Sequence, residues 1–118
     1  MSILVLNGQA IAIVLKCFSK NSIVANAAAG VSFIDARETQ KYVSLDEVKN
    51  VETCAIEATK VHELMFAGVD IIISKNNENY VIECNRNPQF IETQRVLPDI
   101  DIANQVIKCL ENPSEWAI

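Results

Sequence analysis

Residues 68–85 limit the possible folds of this chain more than any other segment. Positions 69–74 and 80–84 are rich in β-branched side chains, and the polar stretch 75–79 between them is prone to turns. This pattern predicts a β-hairpin. If Ser74 and Asn79 form its last pair, Asp70 lies opposite Glu83, and Val81 and Asn85 share their side of the sheet because side chains alternate along a strand.

In this register, two carboxylates and an amide oxygen meet on one side of the hairpin. Like charges directly opposite each other destabilise a strand pair, so this pair needs a compensating cation. Carboxylate and amide oxygens suit Mg²⁺ or Mn²⁺, and Mg²⁺ is usually bound through a few carboxylates together with waters and substrate phosphates. We predict a divalent-metal site formed by Asp70, Glu83 and Asn85.

A solvated polar face is the alternative interpretation of the same residues. In that case Asp70 and Glu83 pair with basic side chains nearby in the sequence, namely Arg86, Arg95 or Lys75. A register shift of one residue would also separate the two carboxylates. The pattern by itself leaves these possibilities open.

The first part of the chain also indicates strands. Two apolar runs, residues 3–6 and 10–17, are separated by Asn7-Gly8, a pair that tolerates positive φ and favours a type I′ turn. Residues 26–30 have the small and polar composition of a loop, and a short strand is predicted at 31–34. The chain therefore begins with an antiparallel pair.

Two helices are predicted from capping signals and periodicity. Ser44 and Glu47 form a capping box, the apolar stripe behind it indicates a helix through residue 66, and Gly68 suits its left-handed end. Asp99 or Asp101 is expected to cap a last helix, on which Ile102, Ala103, Val106, Ile107 and Leu110 share a face before Asn112-Pro113. Residues 86–97 are predicted to be irregular. The fold class is α+β: one domain, residues 1–118, in which an antiparallel sheet of four or five strands is covered by two helices.

Composition excludes several function classes. The formal net charge is -5 and the basic residues are scattered, so nucleic acid is not an expected partner. The longest apolar runs are far below the roughly 20 residues of a membrane span. The 4 cysteines show no paired CxxC spacing and are expected to be reduced. With no secretion signal apparent, we expect a cytoplasmic protein that does not interact with membranes.

Several of these segments resemble the ATP-grasp carboxylate-amine ligases, in particular the branch that adds glutamate to proteins or small acceptors. The similarity lies in the stretches GVDI at 68–71 and VIECN at 81–85, in Pro88, and in DIDIA at 99–103. Upstream, VLNG at 5–8 and the Asn-containing loop at 26–30 are similar as well. The resemblance covers nearly the whole chain but corresponds only to the C-terminal lobe of such an enzyme.

The resemblance implies a function and a set of site residues. Asp70, Glu83 and Asn85 correspond to ligands of the magnesium ions that accompany ATP, and Lys16 and Asn26 correspond to positions that contact the nucleotide or substrate. The implied cofactors are ATP and Mg²⁺ or Mn²⁺. The implied reaction joins a carboxylate substrate to an amine through an acylphosphate, once a second lobe supplies the adenine-binding lysine and the glycine-rich lid. Residues 27–29 are alanines where relatives often carry a basic residue, and Gln89 replaces a glycine.

Two other functions fit parts of the same pattern. A non-catalytic module that keeps the ATP-grasp fold for dimerisation or partner binding would explain the missing lobe, and we expect the isolated chain to form a homodimer. A metal nuclease would also place an Asp on one strand and a Glu on the next, but it needs a lysine where Asn85 stands. Retention of the three predicted ligands favours the ligase lobe.

Overall fold

A five-stranded antiparallel sheet forms the centre of the protein. The computed structural model describes residues 1–17, 32–38 and 43–117. Along the chain the strands and helices are β1 (Ser2–Leu6), β2 (Gln9–Cys17), β3 (Ser32–Asp35), α1 (Leu45–Val61), β4 (Phe66–Ile73), β5 (Asn79–Asn85), α2 (Ile91–Val96) and α3 (Ile102–Glu111). The strand order is β3-β2-β1-β4-β5, which leaves β1 in the middle. The α+β fold class predicted from the sequence is confirmed.

The first hairpin forms as predicted. Asn7 and Gly8 have φ values of 49° and 75°, and Leu6 pairs with Gln9 across the two-residue turn. Asparagine and glycine are the residues that tolerate these angles at the lowest cost. The turn places β2 beside β1, and the later β4 takes the free edge of β1 on the other side.

Helix α1 begins as predicted but ends earlier. The Ser44 amide donates to Glu47 Oε2 at 2.7 Å and the Glu47 amide donates to Ser44 Oγ at 3.2 Å, which confirms the capping box. The helix stops at Val61, and Glu63, with φ of 53°, takes the left-handed conformation. The prediction of a helix through residue 66 that ends at Gly68 was wrong, because residues from Phe66 onward pair with β1.

The two faces of the sheet are covered by different helices. On one face, α1 contributes Val51 and Ala55 to a buried cluster with Ile3, Val5, Val69 and Ile71. On the other face, Leu97 and Ile102, which follow α2 and begin α3, pack on Leu4, Ala12 and Val14. The sheet is therefore the middle layer of three.

Helix α2 was missed by the sequence analysis, which described residues 86–97 as irregular. It has only six residues, and its N-cap, Phe90, makes no side-chain capping hydrogen bond. A helix this short carries neither a start signal nor a full period of apolar spacing. In the described part of the chain, the sheet is therefore covered by three helices, one more than the two predicted.

Helix α3 begins after Asp101, one of the two predicted caps, whose carboxylate accepts from the Asn104 amide at 3.0 Å. Its predicted apolar face is only partly covered. Ile102 is buried, whereas Ile107 and Leu110 are about half exposed. No helix in the described ranges is long and apolar enough to cross a membrane.

Gly68 has a packing role in β4. A Cβ atom added at this position would lie 2.9 Å from Pro88 Cβ, closer than real side-chain atoms approach each other. The absence of a side chain at Gly68 allows the segment after β5 to lie directly on the sheet. This contact fixes the position of the residues that follow Asn85.

We expect Gly68→Ala to lower the free energy of unfolding by about 1–3 kcal/mol, because the added methyl group forces Pro88 away from the sheet. Urea denaturation measures the change. A second variant, Pro88→Gly, removes the atom that would collide. If the collision is the cause, the double variant loses less stability than the sum of the two single losses; additive losses would contradict the packing role.

Candidate metal and phosphate site

The β4-β5 hairpin brings the predicted metal ligands together. Asp70 pairs directly with Glu83, and Gly68 pairs with Asn85, as the predicted register requires. Beyond Asp70 the register changes, because a β-bulge leaves Ile82 without a partner. Ile71 therefore pairs with Val81 and Ile73 with Asn79, so the predicted Ser74–Asn79 pair and the placement of Val81 beside Asp70 were wrong.

A cavity of about 570 Å³ lies between this side of the sheet and the segment after β5. It is lined by Lys16, Asp70, Glu83 and Asn85, which are four of the five site residues predicted from the sequence. The opposite wall comes from Pro88 and from α2, including Glu92 and Arg95. Asn26, the fifth predicted residue, lies outside the described residues.

Lys16 neutralises Asp70. Its Nζ donates to both carboxylate oxygens, at 3.0 Å to Oδ1 and 2.8 Å to Oδ2, and the two side chains are only 15% and 29% exposed. Lys16 Nζ also lies 5.9 Å from the centre of the Phe33 ring. The cation that compensates Asp70 thus comes from β2, two strands away from β4 in the sheet.

None of the basic residues considered from the sequence makes this contact. Arg95 instead pairs with Glu92 on its own helix, at 2.6 Å, and Asp70 has its ion pair with Lys16. Lys16, 54 residues before Asp70, was predicted as a nucleotide or substrate contact but not as the partner of Asp70. No local signal identifies such a pair, because only the strand order brings β2 and β4 close together.

Glu83 and Asn85 are differently placed. Both are exposed, and Asn85 Oδ1 accepts from the Asn87 amide at 2.9 Å. Within the described ranges, the Glu83 carboxylate has no hydrogen-bond or ion-pair partner. Nor do three His, Cys, Asp or Glu side chains anywhere in the described part of the chain lie close enough to hold a metal ion by themselves. Asp70, Glu83 and Asn85 together offer two carboxylates and one amide oxygen.

A second cavity, of about 480 Å³, adjoins the Lys16–Asp70 pair. Both residues of the pair line it as well. The rest of its wall is largely apolar, with Leu15, Val43, Ile71, Ile72, Ile73 and Ile82. Glu47, Ser74, Lys75 and Asn77 line it as well. The bulged residue Ile82 is 62% exposed and lies next to Glu83 in the sequence. The Lys16–Asp70 ion pair therefore borders both a polar cavity and a largely apolar one.

Two cysteines lie where the hairpin packs on α1. Cys84, on β5, and Cys54, on α1, pack against the core cluster under the helix. Burial raises the pKa of both thiols, and Glu57 raises that of Cys54 further. Thiols with raised pKa values are less often ionised and hence less reactive, which fits structural cysteines. All cysteines are free thiols.

This sheet, with helices on both faces and an acidic hairpin at its edge, has the ATP-grasp fold. Residues 1–110 match the model of the RimK-like ATP-grasp domain, so the chain belongs to this family, as the sequence resemblance predicted. No curated protein sequence matches the chain.

Solved structures of the ATP-grasp ligase PsnB are similar in fold. The structure of PsnB with a phosphomimetic variant of its minimal precursor, Mg and ADP has a TM-score of 0.65 and 18% identity, and the similarity covers 96% of this chain and 31% of that one. The complex with the minimal precursor has a TM-score of 0.61, 17% identity and coverages of 97% and 33%. The complex with precursor peptide PsnA2 and AMPPNP has a TM-score of 0.57, 19% identity and coverages of 99% and 32%. The chain therefore spans about a third of the length of these ligases.

We expect Lys16→Met to lower the free energy of unfolding by about 1–3 kcal/mol, because it removes hydrogen bonds to a charged and partly buried carboxylate. Asp70→Asn should have a similar effect, and the double variant should lose less than the sum. Chemical denaturation of the four proteins measures the coupling. Additive losses would mean that the contact contributes nothing to stability.

Proposed function

We propose that this chain is the metal- and phosphate-binding lobe of an ATP-dependent ligase that joins a carboxylate to an amine. The observation that carries the proposal is the joint location of Asp70, Glu83, Asn85 and Lys16 around one cavity, in a chain of the RimK-like ATP-grasp family. A metal nuclease would need a lysine two residues after Glu83, and on β5 that position is Asn85.

The donor set fits a divalent cation of the magnesium type. Asp70, Glu83 and Asn85 offer oxygen ligands, and the Glu83 carboxylate has no hydrogen-bond or ion-pair partner among the described residues. Magnesium usually takes one or two carboxylates from the protein and completes its shell with waters and substrate phosphates. When bound, the ion would neutralise phosphate charge during phosphoryl transfer. Three protein oxygens are therefore sufficient if a nucleotide supplies the remaining ligands.

The surroundings of the site fit a nucleotide. Lys16 reaches the same cavity as the three oxygen donors, where an ammonium group can hydrogen-bond to phosphate oxygens. The adjoining apolar cavity is lined by Ile82 and its neighbours and offers a surface for an aromatic base. In this arrangement the phosphates lie at the Lys16–Asp70 pair and the base lies beyond it.

The proposed chemistry requires two steps. An oxygen of the substrate carboxylate attacks the γ-phosphorus of ATP, which gives an acylphosphate and ADP. The amine then attacks the acyl carbon, so that the amide bond forms, phosphate leaves and the amine loses a proton. The residues of this chain contribute by binding and orienting the reacting phosphate and by stabilising its charge, which is the main requirement of phosphoryl transfer.

A second lobe is part of this proposal. The chain spans about a third of PsnB, whose structures are described with ADP and Mg or with AMPPNP. We infer that the remainder of a complete nucleotide site comes from another part of the same protein or from a second polypeptide. The carboxylate substrate and the amine would reach the cavity in the completed enzyme.

Calorimetric titration of Mn²⁺ into the purified chain, with and without ATP, tests the proposal. We expect binding that is strongest with ATP and that is lost in Asp70→Ala/Glu83→Ala. The matched control is Glu57→Ala/Glu111→Ala, which removes the same charge at exposed helix positions and should leave binding unchanged. Absence of binding by well-folded wild type would favour a non-catalytic module of the same fold.

We expect Ile82→Ser to weaken ATP binding in the presence of Mn²⁺ by about tenfold, or 1.4 kcal/mol, because it removes apolar surface from the wall proposed to hold the base. Binding of Mn²⁺ alone should not change. The control is Ile107→Ser on α3, which is similarly exposed and lies away from both cavities. Equal ATP affinity of the two variants would place the base elsewhere.

A further inference from the structure

The Lys16–Asp70 contact has a consequence for metal binding, if the proposed function is correct. Lys16 Nζ occupies both oxygens of Asp70, at 3.0 and 2.8 Å, in a partly buried location. A divalent cation on the same carboxylate would lie within a few ångström of the ammonium group. Two cations at that distance repel each other strongly where water is scarce. Lys16 therefore competes with the metal for Asp70.

No other described cation of the cavity wall is placed to take over from Lys16. Arg95 is the second basic residue of that wall, and its guanidinium is engaged by Glu92 at 2.6 Å. The Met1 ammonium group also interacts electrostatically with Asp70, but it donates to the Ile71 carbonyl oxygen. If Lys16 leaves Asp70, a cation from solution would restore the lost positive charge. Conversely, Lys16 needs a new anion, and its flexible side chain already borders both cavities.

A nucleotide phosphate supplies what both partners need. Its oxygens complete the coordination shell of a metal held by Asp70, Glu83 and Asn85, and its negative charge attracts the ammonium group released from Asp70. We propose that Lys16 is an exchangeable counter-ion: it holds Asp70 while the site is empty and moves to phosphate when the metal binds. Lys16 thereby makes metal binding depend on the nucleotide.

This proposal predicts a coupling that works in both directions. By thermodynamic linkage, ATP raises the affinity for Mn²⁺ by the same factor as Mn²⁺ raises the affinity for ATP, and the exchange makes Lys16 a source of that factor. Removing the ammonium group removes the competitor and the phosphate contact together. Affinity for the metal alone then rises, whereas the strengthening by ATP falls. If Lys16 only bound phosphate, its removal would lower the affinity for ATP without raising the affinity for the metal.

The experiment is calorimetric titration of Mn²⁺ into wild type, Lys16→Met and Lys60→Met, each with and without ATP. Lys60 is exposed on α1, so Lys60→Met makes the same charge change away from the site. We expect Lys16→Met to bind Mn²⁺ alone about tenfold more tightly than wild type, and its gain from ATP to fall by a similar factor. Lys60→Met should behave like wild type.

A second variant guards against misfolding. Lys16→Gln keeps a hydrogen-bond donor for Asp70 but no charge, and it should show the same two effects if Lys16→Met does not fold. Equal Mn²⁺ affinities of wild type and the Lys16 variants, with equal gains from ATP, would overturn the exchange while leaving the metal site intact. An equal rise in Lys60→Met would also overturn it, since the effect would then be one of overall charge. Absence of Mn²⁺ binding in every protein and condition would overturn the proposed function and the exchange together.

Discussion

The ion pair between Lys16 and Asp70 connects two strands that are not neighbours in the sheet. Strand β1 lies between β2 and β4, and Ser2 pairs with Val14 on one side and Asp70 on the other. Lys16 follows Val14 by two residues, so its side chain points to the same side of the sheet and reaches across β1. The contact therefore depends on the register of two separate strand pairs. Any change in either register would leave a partly buried carboxylate without its counter-ion.

The same registers determine the shape of the site. The bulge beside Asp70 lets Glu83 stay opposite Asp70 while Ile82 leaves the pairing and borders the apolar cavity. Gly68 lets Pro88 approach the sheet, which holds the segment after Asn85 over the polar cavity. A β-bulge and a glycine both weaken the pairing and packing of a regular strand. Here the bulged Ile82 borders the apolar cavity, and Gly68 and Pro88 border the polar one.

The chain provides one surface of a site rather than an enclosed one. Glu83 and Asn85 are exposed, and so is the bulged Ile82. Mg²⁺ binds best where several oxygens converge, and the part of the chain that the structure describes offers no cluster of three acidic, His or Cys side chains. A phosphate group and a second lobe would supply the missing ligands and walls. This is the physical reason for proposing that the chain forms part of a ligase active site rather than all of it.

The sequence by itself determined the local elements and the acidic hairpin. The Asn7-Gly8 turn and the Ser44–Glu47 capping box follow from residues close to each other in the chain, whose preferences need no tertiary information. The pairing of Asp70 with Glu83 was predicted correctly, but from a Ser74–Asn79 pair that does not form, and it depends on the bulge at Ile82. Family membership also followed from short local motifs. Whether Glu83 and Asn85 hold a metal stays a prediction.

Only the tertiary structure decided which partners these residues meet. The partner of Asp70, the close approach of Pro88 to Gly68 and the short uncapped helix α2 all arise from contacts between distant segments. The early end of α1 has the same origin, because pairing with β1 takes the residues from Phe66 onward into the sheet. Local patterns report the preferences of neighbouring residues, whereas strand order and packing decide which charges and surfaces face each other.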